Sequence, residues 1–170
     1  HAIIGENCHI EDGVEIAEFC VIENAYISKN TKISAGTKIG ASGLGSVYNE
    51  TNQRMVQFPH IGTVTIGQNC IIQDNTVIHR GNLDDTIISA NVHIGPLSWI
   101  GHNAKIGSFT VISQNVTIAG SAEIGEHCRI WGTASIRDGV KLGDRVIVGM
   151  GAAVINDISD GKFVKGVPAI

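Results

Sequence analysis

His102 and Gly120 are the pair of residues in this 170-residue sequence whose types and spacing most invite chemistry. His102 lies in WIGHNAKIG, two residues after Ile100, and Gly120 follows eighteen residues later. If residues eighteen apart stack, the Gly120 backbone lies one strand spacing from His102. Imidazole titrates near neutrality and is the natural general base. A backbone N–H with no side chain over it is a natural oxyanion donor. Asp84 and Asp85, in HRGNLDDTI, could hold a substrate amine or orient His102 from the next subunit, and Asn103 and Trp99 flank the histidine. Each has a plainer reading. The Asp pair fits a turn, Asn103 fits a chain corner, and an outward Trp99 fits a contact between subunits. A single histidine on a turn is most often only solvated, so its weight depends on the elements that position it.

Those elements are legible from one rhythm. From residue 88 every sixth position through 154 is aliphatic: nine isoleucines, then Leu142, Val148 and Val154. The same rhythm runs from Ile4 to Ile39 with one five-residue step, and resumes at Ile66, Ile72 and Ile78. A helical stripe repeats at 3.6 and a strand at 2, so neither explains a period of six. Short strict repeats mark stacked arrays, and hexads mark parallel β-helices. Four residues after each aliphatic stand small or β-branched residues such as Thr76, Val92, Ser98 and Ala104, which suit a narrow interior. Three residues after it stand Asn7, Gly13, Asn30, Gly36, Asn69, Asn75, Asn91, Asn103, Asn115 and Gly139. Asn and Gly tolerate left-handed backbone, so these read as corners. Three hexads then make one triangular coil of eighteen residues, and the expected class is an all-β parallel β-helix.

Two stretches break the lattice. Residues 41–60, ASGLGSVYNETNQRMVQFPH, hold no hexads and read as an extruded loop, an excursion that usually carries function or contacts a partner. Between Ile78 and Ile88 the chain takes ten residues instead of six. The expected organisation is one β-helix domain over 1–158 and a tail over 159–170 that leaves the lattice after Val154.

Composition narrows the partners. The formal net charge is −4 and the basic residues are scattered, which argues against nucleic acid or an anionic membrane. No stretch approaches a transmembrane span or a signal peptide. Cys8, Cys20, Cys70 and Cys128 all fall at the small interior position, with no zinc-motif spacing, and read as core thiols in a reducing, cytoplasmic setting. Outward apolar groups such as Leu97, Trp99 and Phe109 point to association with further copies of the chain.

The hexads resemble those of the left-handed β-helix acyltransferases, and the left hand is an implication of that resemblance. Within 40–125 the pieces GASGLG, FPHIGTVTIG, HRGNLDDTII, IGHN and AGSAEIG resemble the N-acyltransferases of lipid A biosynthesis, which acylate the 2-amine of a UDP-linked acylglucosamine. The resemblance implies that His102 is the base and that the Gly120 amide meets the oxyanion. It further implies sites in the grooves of a homotrimer, no bound cofactor or metal, and an acyl group delivered as acyl-CoA or on acyl carrier protein to a sugar acceptor. The chain departs from that family at GPL, 95–97, and at RDGV, 137–140, where the family has a second histidine. The ending VGMGAAVINDISDGKFVKGVPA, 148–169, resembles coenzyme A-dependent sugar acetyltransferases.

A second resemblance is to the gamma-class carbonic anhydrases, carried by IIQDNTVIH, 71–79, and IGHNAKI, 100–106. It implies His79 and His102 as zinc ligands, but Gly107 stands at the third position, and a catalytic zinc needs three protein ligands. Acyl transfer is the leading expectation. A metal-dependent hydratase and a non-catalytic structural trimer are the alternatives.

Overall fold

The structure is a computed structural model that describes residues 1–168. Its strands, mostly two residues long, stack in parallel into three sheets of eight, seven and eight strands, and a separate antiparallel hairpin projects from the stack. Each strand pairs with the one a full coil away. Trp99–Ile100 pairs with Thr117–Ile118, which pairs with Ser135–Ile136. The lattice isoleucines therefore sit on one another, Ile78 to Ile100 to Ile118 to Ile136 on the first face. The twelve largest fully buried side chains are all isoleucine.

The expected corners form as the residue types require. Asn7, Asn30, Asn69, Asn75, Asn91, Asn103 and Asn115 all have φ between 54° and 59°. Asparagine enters this region more readily than bulkier residues. Phe19, Leu97 and Phe109 adopt the same backbone at φ near 60°, so the stack imposes the corner even where the residue disfavours it.

The interior position beside each isoleucine admits polar atoms only when they are paired. The hydroxyls of Thr31, Thr37, Thr76, Ser98 and Thr110 donate to carbonyls of the next coil at 2.9–3.2 Å. The thiols of Cys20, Cys70 and Cys128 lie in the same place, 3.1 Å from such carbonyls, and burial raises their pKa. Cys8 is only half-buried, in the first coils, where Ile3 and Ile4 also remain exposed.

The C-terminal segment departs from the expected tail. Ile158 bridges Leu142, and Phe163–Val164 pairs with Ile147–Val148, so the chain rejoins the lattice after Val154. The hexad spacing is broken there, while the alternation that buries Val164 persists. Residues 169 and 170, the end of the expected 159–170 tail, lie outside the described residues. Among the described residues no helix is long and apolar enough to cross a membrane.

Position in the stack sets the cost of cavities. Ile112, mid-stack and 1% exposed, should lose about 2–5 kcal/mol of stability on change to Ala. Ile4, at the open end and 45% exposed, should lose only a fraction of that. Urea unfolding of the two variants makes the comparison, and equal losses would refute the stacked-core account.

Candidate functional site

Both interruptions of the lattice fall at one corner. The first face ends in Lys38–Ala41 and Val77–His79, and the register between them shifts at Ile78/His79. The first excursion leaves after Ala41, forms the hairpin Ser46–Asn49 with Arg54–Gln57, and returns at Val64–Ile66. The second runs from Arg80 to Asp85. Their bases are tied together. The Arg80 N–H donates to Ala41 O at 3.1 Å, Arg80 Nε to Gly62 O at 2.7 Å, and Ile61 N–H to Asn82 O at 2.7 Å. Two irregular segments thus build a wall beside the corner that carries His102.

Asn103 decides what His102 can do. Its Nδ2 donates to Asp84 O at 2.9 Å, and its Oδ1 accepts the Asn82 N–H at 3.0 Å. These two bonds orient the amide, so Oδ1 is the atom that meets His102 Nδ1 at 3.0 Å. An oxygen acceptor requires the proton on Nδ1, which leaves Nε2 with a bare lone pair. A hydrogen bond at the far ring nitrogen sets the tautomer here. The Asn103 N–H is itself held by Thr86 Oγ1 at 2.8 Å.

Nε2 faces Gly120. A carbon placed on residue 120 would stand 2.6 Å from His102 Nε2 and Cε1, and 3.0 Å from Asp138 Oδ1. Glycine is therefore required here for space, since the position has no left-handed backbone to accommodate. The Ser121 N–H donates to His102 O at 2.8 Å, whereas the Gly120 N–H has no backbone acceptor among the described residues. A free N–H and a bare imidazole nitrogen lie side by side.

Three imidazoles converge behind this pair. A carbon on Gly43 would stand 3.0 Å from His60 Nε2, 3.2 Å from His79 Nδ1 and 3.4 Å from His102 Cδ2. His60 is 7% exposed, and its Nδ1 lies 3.0 Å from Phe58 O, which places that proton on Nδ1. Among the described residues, buried His60 Nε2, His79 Nδ1 and Asn82 Oδ1 find no hydrogen-bond partner. Burial lowers the His79 pKa, and the charges of His60 and His102 lower it further. His102 turns its Cδ2 toward this cluster and spends Nδ1 on Asn103. Among the described residues no group of three His, Cys, Asp or Glu is arranged to hold a metal ion.

The other sequence candidates fall around this centre. Asp84 contributes its carbonyl. The Asp85 carboxylate accepts the Thr63 N–H at 2.7 Å and braces the return of the long loop. Trp99 packs edge-on against His79, with ring centroids 5.3 Å apart. Sequence reasoning passed over His60 and Asp138. The break in the hexads over 41–60 was the available signal for His60, and the eighteen-residue step from Gly120 was the signal for Asp138. A groove of about 930 Å³ on the second face, lined by Lys105, Glu123, Lys141 and Asp157 among others, contains none of these histidines.

Comparison with known proteins agrees with this architecture. Residues 121–156 match the bacterial transferase hexapeptide family (six repeats). Over 93 residues the chain is 33% identical to the UDP-3-O-acylglucosamine N-acyltransferase of Xanthomonas axonopodis pv. citri (strain 306), covering 55% of this chain and 27% of that protein. The Xylella fastidiosa (strain 9a5c) protein of the same name is 39% identical over 77 residues, 45% of this chain and 22% of its own. The chain thus spans about a quarter of the length of these relatives. The UDP-N-acetylglucosamine O-acyltransferase of Moraxella catarrhalis RH4 superposes with a TM-score of 0.73 at 24% identity, covering 99% of this chain and 70% of that one. The Francisella novicida UDP-N-acetylglucosamine acyltransferase gives 0.76 at 24%, covering 99% and 66%.

Two outcomes follow from the site. Nitrogen NMR of neutral His102 should show the proton on Nδ1, and Asn103→Gly, which keeps the corner and removes the acceptor, should populate the other tautomer. Finding Nε2 protonated in the unaltered protein would refute the Asn103 lock. The lowered His79 pKa has a stability consequence. The folded state binds this proton less readily than the unfolded chain, so stability is full above the unfolded histidine pKa of about 6.5 and falls as pH drops below it. His79→Asn should remove part of that slope in urea midpoints measured between pH 7 and pH 5. Residues 121–156 match the bacterial transferase hexapeptide family, and the described chain has the fold of the solved UDP-N-acetylglucosamine acyltransferases.

Proposed function

We propose that this chain is the catalytic β-helix of an acyltransferase. It moves an acyl group from a thioester, acyl-CoA or acyl carrier protein, to an amine or hydroxyl of a nucleotide-linked sugar. The observation that carries this reading is the bare Nε2 of His102 beside the unengaged Gly120 N–H. The acceptor binds over Gly120. Nε2 takes its proton as the acceptor lone pair attacks the thioester carbon. Negative charge gathers on the former carbonyl oxygen, which the Gly120 N–H receives. As the C–S bond breaks, the proton passes from Nε2 to the departing sulfur, and His102 returns to its starting tautomer. No metal or bound cofactor enters these steps.

The relatives' names support a sugar nucleotide as acceptor, and on this reading the reaction belongs to lipid A or surface glycan assembly in the cytoplasm. Leu97 and Phe109, exposed at 61% and 52%, support a homotrimer whose neighbouring subunit walls the groove. Trp99, Asp84 and Asp85 contribute to the shape of that groove. The hydratase reading has no such support, because Gly107 stands at the third-ligand position and, among the described residues, no group of three His, Cys, Asp or Glu is arranged to hold a metal ion.

His102→Ala should lower kcat about 10²–10⁴-fold with a smaller change in acceptor KM. Gly120→Ala should be nearly as damaging, because its methyl would push on the imidazole. The assay is acyl transfer from acetyl-CoA and from acyl carrier protein thioesters to UDP-linked amino sugars, with sedimentation confirming a trimer in each variant. Turnover of His102→Ala at the unaltered rate would reject the site. A chain with no transfer to any acceptor would be the structural trimer instead.

A further inference from the structure

Two unused acceptors face one open place above Gly120. They are His102 Nε2 and Asp138 Oδ1, which lie 2.6 and 3.0 Å from the position a side-chain carbon on residue 120 would occupy. The strand pairing explains the alignment, since positions 102, 120 and 138 take the same corner of three successive coils. The two groups do not pair with each other. Among the described residues the ion pairs are Lys32–Glu15 and Lys141–Glu123.

At the next corner the equivalent carboxylates are already engaged. Asp144 Oδ1 accepts the Glu126 N–H at 2.9 Å, and Asp160 Oδ1 accepts the Asp144 N–H at 3.0 Å. Asp138 makes no such bond to the Gly120 N–H, and its side chain is exposed beside the base.

We propose that Asp138 is the acceptor-selecting residue of this site and makes it take a primary amine in preference to a hydroxyl. This rests on the acyl-transfer reading above. The selection follows from counting hydrogens. A neutral primary amine has one lone pair for attack and two hydrogens. One hydrogen goes to His102 Nε2 and the other to Asp138 Oδ1, so both acceptors are satisfied. A hydroxyl has a single hydrogen. Once it is given to Nε2, an oxygen lone pair is left against the carboxylate. The amine is further favoured because its protonated form is attracted to Asp138 before reaction. During transfer, His102 takes one N–H proton and returns it to the leaving sulfur. The second hydrogen stays on the product amide nitrogen, so Asp138 holds it without removing it.

The test separates binding from turnover. Imidazole NMR of His102 is followed while UDP-glucosamine or UDP-glucose, which differ only in an amino group for a hydroxyl, is added to the full chain and to Asp138→Asn. The unaltered chain should bind the amine at least about tenfold more tightly than the hydroxyl compound, the scale of one charge-assisted hydrogen bond. Asp138→Asn should lose that preference while keeping the backbone spectrum of the unaltered protein. Equal binding of the two nucleotides by the unaltered chain, no response to either, or an undiminished amine preference in Asp138→Asn would each overturn the proposal. Discriminating binding without any acyl transfer would instead sink the transfer reading and leave the role of Asp138 standing.

Discussion

Every coil of this molecule must return its aliphatic side chains to the same places along the axis, directly over those of the coil before. Parallel pairing such as Ile100 on Ile118 on Ile136 enforces that condition on each face. Because most strands are only two residues long, little of the backbone has freedom to drift. The left-handed corners, the paired hydroxyls of Thr31 and Thr110, and the buried thiols all follow from the same narrow interior. A residue's distance from the axis is then fixed by its place in the hexad. A functional group is made by choosing what stands at an outward position and what stands eighteen residues away.

Such a lattice is rigid and repetitive, which leaves it poor in concave sites. Here the concavity comes from two departures at one corner. The 41–60 hairpin and the 80–85 turn are tied to each other through Arg80, Gly62 and Asn82, and they bring His60 and the Asp84 carbonyl to a surface that the coils alone would leave flat. The interruption has an energetic cost, visible in the unpartnered buried nitrogens of His60 and His79. A regular hexad at this place would have avoided that cost and would have made no wall.

The chemistry at the centre depends on orientation. Asn103 serves twice, as a corner with φ of 59° and as the acceptor that pins the proton of His102. Its own amide is held by Asn82 and Asp84, which belong to the irregular turn. The base is therefore set by a chain of hydrogen bonds running from lattice to loop. Gly120 completes the centre by omission, because any side chain there would fill the space where Nε2 and Asp138 Oδ1 face outward.

The period of six was enough to determine the three-sided parallel stack, its isoleucine core and its Asn corners, because each depends only on residue type at a repeating position. The same period of six, taken three times, aligns His102 with Gly120. Even Asp138 was implicit in that arithmetic, one further step of eighteen along. Tertiary structure alone decided the remainder. His60 lies outside the lattice, so no spacing could bring it to His79 and His102; that required the fold of the hairpin and its ties to Asn82 and Arg80. The tail after Val154 rejoined the stack because Ile158 and Val164 found open edges, a fact of packing that broken spacing conceals. The tautomer of His102 rests on which way one amide points, and only neighbours from a different segment of chain could settle that.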